Sequence, residues 1–367
     1  MSGRVPLARR NLLADRRRLG AGVVGVGLAV MLILLLDGMW AGLQGQATVY
    51  SQRSGADLYV LQPGVRDLTA GAGTLPPRTL DTVRSDPDVA WATPVRTAYV
   101  ILQLHARKVA AYLVGSVPGE RGGPWSMAAG RAPAADDEVT IDTVLGDRHG
   151  IGIGDRLEVM GRSLRVVGLS HSSGFMLSYA FVTHAALDQL TASPDKTSFV
   201  LVGTADPGAV AGRLSAQGLN VLGRDQVSAN NLTFATGIFG SPLRLMVGIG
   251  LAAGTMIIAL TAYTAIVERR REYGIVKAMG ATRRRMVGLA LAQTVTLAAL
   301  GLVAGGVLFV AGRALINATR PQFAVVLTAG AAGRAVTAAL VMALVAAVIP
   351  ARRLAALEPA AAFRSAS

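Results

Sequence analysis

Few side chains in this sequence of 367 residues are placed to do chemistry. There is no cysteine, and no two histidines are three or four residues apart, the spacing that puts two metal ligands on one helix face. Ser172 and Ser173 follow a histidine, but the chain has no G-x-S-x-G motif to support a hydrolase. We therefore expect neither a catalytic site nor a metal site. The four histidines are His105, His149, His171 and His184.

Glycine-rich and acidic runs do not predict a ligand site either. No G-x-x-x-x-G-K-[ST] phosphate loop occurs in the sequence. Gly22, Gly25 and Gly27 lie in an apolar run with no preceding strand, so they predict close packing between helices. Glycines within 150–154 predict a turn before a strand, and the acidic run 136–138 predicts a solvated turn rather than a cation site. We expect this chain to bind no cofactor of its own.

The strongest signal is the segment 268–285, ERRREYGIVKAMGATRRR, which lies between two apolar runs and carries seven Lys/Arg residues. It predicts a short helix at the membrane surface, with acidic residues in its first turn, Gly280 ending it and Thr282 capping the next helix. Because the helix is short and tethered at both ends, we expect it to dock in a partner's groove; a surface helix without a partner is the alternative. The residues expected to bind the partner are Glu268, Arg269, Glu272, Tyr273, Gly274, Ile275, Val276, Lys277, Met279, Gly280 and Thr282.

Four apolar stretches predict membrane-spanning helices. Three of them reach the roughly 20 residues that a span needs, and residues 329–334 extend the fourth to that length. The first stretch is longer than the apolar region of a signal peptide, so we expect it to be retained. Asp37, Arg244 and Arg334 fall near the predicted outer boundary rather than inside a span. A buried proton relay is therefore not expected.

The net charge of +14 is distributed unevenly along the chain. The N-terminal segment, the 268–285 loop and the C-terminal tail carry sixteen Lys/Arg against four Asp/Glu, whereas residues 46–240 carry sixteen against seventeen. Basic flanks stay in the cytoplasm, so both termini and the loop are predicted to be cytoplasmic and residues 46–240 to be outside. The charge indicates topology and attraction to the anionic lipid bilayer, and no nucleic-acid partner is expected.

The section between the first two spans, about 195 residues long, alternates strand-like and helix-like pieces. Its clearest feature is a hairpin over residues 150–170, and residues 226–242 predict a helical stalk that leads into the second span. The pattern predicts an α+β domain. A domain of this size can form a sufficient core without disulfides.

Three motifs carry a resemblance to a known family. The loop matches E-R-x-x-E-x-G-I-x-[KR]-A-x-G-A-[ST] over residues 268–282. A C-terminal pattern is approximated by Pro350, Ala351, Leu354, Pro359, Ala362, Phe363 and Arg364. An N-terminal pattern is approximated by Arg10, Asn11, Leu12, Leu13 and Arg18. With these motifs, and with residues 125–131, 138–142 and 165–168 of the middle section, the chain resembles the permease subunits of MacB/FtsX-type ABC transporters.

The resemblance implies that 268–285 is a coupling helix seated in a separate ABC ATPase subunit, which binds the ATP. It further implies a second permease chain, as a homodimer or a heterodimer, and for efflux a membrane-fusion or adaptor protein. The implied function is mechanotransmission, in which ATP hydrolysis moves the outer domain and drives export or extraction of a substrate. The alternative is a cell-division FtsX-like scaffold that regulates an extracytoplasmic cell-wall hydrolase. A membrane-anchored enzyme is disfavoured because no catalytic constellation is present.

The sequence thus predicts an inner (plasma) membrane protein with four transmembrane α-helices and a large α+β extracytoplasmic domain between helices 1 and 2. The predicted boundaries are a cytoplasmic N-terminal segment (1–18), transmembrane helix 1 (19–43), the extracytoplasmic MacB-like domain (44–240), transmembrane helix 2 (241–267), the cytoplasmic coupling helix (268–285), transmembrane helix 3 (286–312), an outer loop (313–329), transmembrane helix 4 (330–350) and a cytoplasmic tail (351–367).

Overall fold

The computed structural model describes residues 16–68, 73–104, 107–171, 178–268, 270–319 and 325–356. The chain separates into two compact units. Among the described residues, the helical unit contains 16–41, 241–268, 270–319 and 325–356, and the α+β unit contains those within 42–240. The part of the N-terminal motif before residue 16 and the part of the C-terminal motif after residue 356 lie outside the described residues.

The elements follow one another along the chain as helices and strands numbered in order. They are α1 (Arg16–Arg53), β1 (Leu58–Leu61), α2 (Arg78–Arg84), β2 (Val89–Leu104), β3 (Arg107–Ser116), β4 (Met127–Gly130), β5 (Glu138–Asp142), α3 (Thr143–His149), β6 (Arg156–Val159), β7 (Arg162–Ser170), β8 (Ser178–Thr183), α4 (His184–Leu190), β9 (Phe199–Thr204), α5 (Pro207–Ala216), β10 (Asn220–Gly223), α6 (Arg224–Glu268), α7 (Arg270–Ala278), α8 (Arg283–Thr319) and α9 (Ala329–Ala356).

Four of the described helices, α1, α6, α8 and α9, are long and apolar enough to cross a membrane. Val26, Val30 and Leu34 repeat every four residues along α1 and therefore share one face of that helix. This face is buried in a core with apolar residues of α6, α8 and α9. The apolar stretches of the sequence thus form one bundle rather than separate anchors.

Glycines bring α1 and α8 into close contact. A Cβ atom on Gly305 would lie 2.7 Å from the side chain of Val30, and one on Gly27 would lie 3.1 Å from the Cβ of Ala304. Small residues are what allow helix backbones to approach closely in a membrane. The prediction that the glycines of the first apolar run serve helix packing is confirmed.

The α+β unit is built on a ten-stranded mixed sheet with the order β10-β1-β9-β2-β3-β8-β5-β7-β4, while β6 pairs with β2 and β7. The sixteen-residue strand β2 joins its two halves. The first half of β2 pairs with β9 from Val89 to Val95, and its second half pairs with β3 from Arg96 to Leu104. The pairs β3–β8 and β5–β7 are parallel, and the other pairs are antiparallel.

Three apolar clusters fill the α+β unit. One packs α3 and α4 against the half of the sheet around β3, β5 and β7. A second packs α2 and α5 against β1, β2 and β9. The third is rich in aromatic rings and includes Tyr50, Tyr59, Phe181 and Phe199. Sheet faces covered by helices and an inner aromatic layer give this unit a core without disulfides.

The predicted fold class is confirmed, and so are most strands. The hairpin predicted over residues 150–170 is the pair β6–β7, and the predicted helix over residues 226–242 is part of α6. The sequence reasoning missed β4 and α3. Asp136 and Asp137 lie in a turn as predicted, and Asp137 is exposed, but the prediction was wrong for Glu138, whose side chain is only 3% exposed and pairs with Arg131 and Arg165.

Candidate functional site

The short helix α7 is fixed at its C-terminal end by a glycine. Gly280 has a φ of +92°, a left-handed conformation that favours glycine. Its N–H donates to the carbonyl of Lys277 at 3.0 Å, and the N–H of Ala281 donates to the carbonyl of Val276 at 3.3 Å. This pair of bonds is a Schellman motif. The helix therefore stops at a defined point, as its sequence predicts.

The cap of the next helix lies two residues after that glycine. Thr282 Oγ1 accepts from the N–H of Arg285 at 3.4 Å, and the Thr282 carbonyl accepts from the N–H of Met286 at 3.1 Å. Thr282 is therefore the N-cap of α8, as predicted. Since one residue separates the left-handed glycine from the cap, α7 and α8 are joined by a connection with little freedom.

One face of α7 is buried within the helical unit. Tyr273 is only 2% exposed and packs in a cluster with Ile266 of α6 and with Met286 and Ala290 of α8. Val276 and Ala351 of α9 also pack against this cluster. The helix thus contacts the ends of three apolar helices, and a displacement of α7 displaces side chains that belong to all three.

The opposite face of α7 presents apolar side chains to the surroundings. Met279 is 75% exposed and Ile275 is 42% exposed. They are four residues apart and therefore neighbours on the helix surface. Arg271 and Glu272 are exposed beside them. Exposed Met and Ile on a basic helix are typical of a surface that another protein covers.

The predicted partner-binding residues therefore fall into two groups. Ile275, Met279, Glu268, Glu272, Gly280 and Thr282 are exposed. Val276 and Lys277 are half-buried, and Tyr273 and Gly274 are buried, so the last two position the helix rather than line its outer face. Arg269 lies outside the described residues.

Sequence reasoning missed the residues that hold α7 in place. These are ordinary apolar residues at the ends of apolar helices, and nothing in their types separates them from their neighbours. They are Ile266, Met286, Ala290 and Ala351.

The sequence analysis named Asp37 and Arg334 separately and did not predict that they pair. Arg334 Nε of α9 donates to Asp37 Oδ2 of α1 at 2.8 Å.

The other sequence candidates do not form a site. Among the described residues, no three His, Asp or Glu side chains come together to hold a metal ion. Ser172 and Ser173 lie outside the described residues. His184 is half-buried and its Nδ1 lies 3.6 Å from Asp188 Oδ2, and desolvation lowers the pKa of its imidazole. A half-buried, mostly neutral imidazole beside that carboxylate is part of the packing of α4.

Two known families match the chain, one mainly over the helical unit and the other mainly over the α+β unit. The FtsX-like permease C-terminal family matches residues 244–359, and the MacB-like periplasmic core domain matches residues 20–217, more than half of the chain. This chain belongs to the MacB/FtsX family of ABC transporter permeases. The permease is therefore a multi-pass membrane protein, and its family implies an ATPase partner.

Relatives of similar length exist in mycobacteria. The permease is 29% identical over 371 residues to an uncharacterized ABC transporter permease of Mycobacterium bovis, covering 97% of this chain and 98% of the relative. It is 28% identical over 364 residues to an uncharacterized ABC transporter permease of Mycobacterium tuberculosis, with the same coverage of 97% and 98%.

Solved structures of similar proteins cover about half of the permease. The extracellular domain of the noncanonic ABC-type transporter YknZ from Gram-positive bacteria is 14% identical with a TM-score of 0.35, covering 45% of this chain and 95% of that one. The periplasmic region of MacB from Actinobacillus actinomycetemcomitans is 15% identical with a TM-score of 0.38, covering 48% and 92%.

Proposed function

We propose that α7 is the coupling helix through which a separate ABC ATPase moves this permease. The observation that carries the proposal is the division of α7 into two faces. Its outer face exposes Ile275 and Met279, and its inner face buries Tyr273 against α6 and α8. A groove on the ATPase covers the outer face, and the inner face transmits the displacement to the spans.

The fixed connection at the C-terminal end of α7 supports this role. The Schellman motif at Gly280 and the cap at Thr282 hold α7 to α8 without a flexible linker. A push on Met279 therefore moves the start of α8 instead of being absorbed by a loop. Nucleotide binding in the ATPase biases the permease between two arrangements of its helices, because the partner contacts α7 differently in each.

Helix α6 extends the same path along the chain. It is a single helix from Arg224 to Glu268. Ile266 lies in the cluster that holds α7, and Val227 near its other end is buried in the aromatic core of the α+β unit. A displacement of α7 therefore acts on Ile266 of a helix whose other end belongs to the α+β unit.

The sidedness follows from the basic flanks: α7 and both termini are cytoplasmic, the α+β domain is extracytoplasmic, and the membrane is the plasma membrane. Two permease chains form the working assembly, as a homodimer or a heterodimer. The MacB-like match over residues 20–217 supports export or extraction over control of a cell-wall hydrolase. A membrane-fusion or adaptor protein is a further expected partner.

The test is stimulation of an ABC-type ATPase that co-purifies with the permease. Met279→Asp places a charge in the proposed apolar contact and is expected to reduce stimulation at least tenfold, whereas Met279→Leu keeps the contact and stimulates normally. Charge reversal by Glu272→Lys is expected to reduce stimulation as well. Full stimulation by Met279→Asp, with normal amounts of the variant in the membrane, would exclude this face of α7 as the contact.

A further inference from the structure

Four of the seven tyrosines of the chain line one cavity in the α+β unit. The cavity has a volume of about 30 Å³. A single water needs roughly 10–15 Å³ on this measure, so a group of a few heavy atoms fits. The lining residues are Gln46, Ala47, Tyr50, Leu68, Thr97, Tyr99, Tyr112, Tyr179, Phe199 and Asn231.

The tyrosine rings meet at steep angles instead of stacking. The rings of Tyr99 and Tyr112 are 4.9 Å apart at 58°, and those of Tyr112 and Tyr179 are 5.5 Å apart at 66°. The ring of Tyr50 lies 6.2 Å from that of Tyr179. Tyr99 is 53% exposed, whereas Tyr50 is buried. The rings thus form a cage that opens at Tyr99 and closes at Tyr50.

The polar groups of the cage are mostly used in holding it together. Tyr50 Oη donates to the carbonyl of Gly122 at 3.0 Å, and Tyr112 Oη donates to the carbonyl of Leu68 at 2.9 Å. Asn231 Oδ1 accepts from the N–H of Leu68 at 2.9 Å, while its Nδ2 donates to the carbonyl of Ala47 at 3.1 Å. What the cage offers a ligand is therefore chiefly aromatic surface, fixed in place by hydrogen bonds.

A negatively charged residue adjoins this aromatic surface, because Asp67 directly precedes Leu68, which lines the cavity and whose carbonyl accepts from Tyr112 Oη. Burial raises the pKa of Tyr99, and the charge of Asp67 raises it further. Burial also raises the pKa of Tyr112, to which Asp67 adds a smaller contribution. The phenols therefore stay neutral. Aromatic faces attract cations through the ring quadrupole, and cages of several rings bind alkylammonium groups.

We propose that this tyrosine cage binds the alkylammonium group of a small organic cation, with the rings of Tyr99, Tyr112 and Tyr179 as walls and Asp67 as the counter-charge. An uncharged apolar group would gain from the rings but not from Asp67. A phosphate-bearing head group would bring its own negative charge toward Asp67. A soluble cation is therefore the favoured ligand over a zwitterionic lipid head group.

The probe is choline, titrated calorimetrically into the purified full-length permease in a maltoside detergent, which lacks ammonium groups. Its uncharged carbon isostere 3,3-dimethylbutan-1-ol and the zwitterion phosphocholine are the matched ligands. We expect both to bind at least fivefold more weakly than choline. Tyr99→Leu is expected to weaken choline binding about three- to tenfold, and Tyr99→Phe to preserve it, because the ring rather than the hydroxyl makes the contact.

Asp67→Asn is expected to reduce the difference in affinity between choline and its uncharged isostere, while both ligands still bind. Equal affinities for choline and the isostere in the unmodified protein would overturn the cation assignment. Tighter binding of phosphocholine than of choline would assign the site to a lipid head group instead. Absence of choline binding, or binding that Tyr99→Leu leaves unchanged, would exclude the cage as the site. The measurement needs neither nucleotide nor ATPase, so its failure is independent of the proposed coupling function.

Discussion

Replacing Glu138 by glutamine is expected to destabilise the α+β domain by about 2 kcal/mol at neutral pH. The side chain is 3% exposed. Arg131 Nη1 donates to its Oε2 at 2.7 Å and Arg165 Nη2 donates to its Oε1 at 3.0 Å, with further bonds from the N–H groups of Ala134 and Ala135. The bonds from Arg131 first, and then those from the N–H groups of Ala134 and Ala135, lower the pKa of Glu138 from 4.5 to about 2.

The magnitude follows from that pKa. A lowering of this size corresponds to about 3.4 kcal/mol in favour of the folded state. Since Arg131 and Arg165 are each about half exposed, solvent screening leaves about 2 kcal/mol of it. The folded-state pKa lies below the unfolded-state pKa, so the stabilisation is complete above pH 4.5 and is lost as the pH falls through about 2.

The assay is amide hydrogen exchange of strand β5 in the full-length protein, followed by mass spectrometry. A loss of about 2 kcal/mol lowers the protection of these amides about thirtyfold at pH 7. Asp137→Asn removes the neighbouring exposed carboxylate and serves as the control, with protection expected to stay within twofold. The reasoning is refuted if Glu138→Gln leaves protection at pH 7 unchanged, or if the difference between Glu138→Gln and wild type persists in full at pH 2.

Three further predictions concern helix packing at Gly305, the connection between α7 and α8, and the membrane topology. Gly305→Leu is expected to impair folding of the helical unit, seen as lost yield and early melting in detergent, because its Cβ would lie 2.7 Å from a side chain of α1; Gly306→Leu, where nothing lies within 4 Å, should behave like wild type. Gly280→Pro removes the donor to Lys277 and cannot adopt a positive φ, so ATPase stimulation should be lost while the protein still inserts; full stimulation would contradict the rigid connection. A reporter fused after Val100 should be extracytoplasmic and one after Arg271 cytoplasmic, and the reverse pattern would contradict the charge-based topology.

The sequence was sufficient where local physics determines the structure. The end of α7 followed from Gly280, because a left-handed residue after a helix favours glycine, and the start of α8 followed from Thr282 as a cap. The spans followed from apolar length alone. These predictions depend on residues within a few positions of one another, so the sequence contains the necessary information.

Contacts between residues far apart in the sequence could not be predicted in this way. Glu138 is buried because β5 pairs with β7, which brings Arg165 to it from 27 residues away. The hairpin of β2 with β3 joins neighbouring segments of the chain, but nothing in the local pattern indicates that the first half of β2 pairs with β9. The tyrosine cage joins residues from 46 to 231, and nothing in the spacing of Tyr50 and Tyr179 indicates that their rings meet.

The partner contact of α7 is tested most directly by site-specific photo-crosslinking. A photoreactive phenylalanine analogue replaces Met279, and in a control protein it replaces Met160, which is 53% exposed in the α+β domain. In membranes that contain the cognate ABC-type ATPase, we expect the Met279 probe to cross-link to that ATPase and the Met160 probe not to. No ATPase cross-link from Met279, in a protein that is present at normal levels, would contradict the assignment of α7 as the coupling helix.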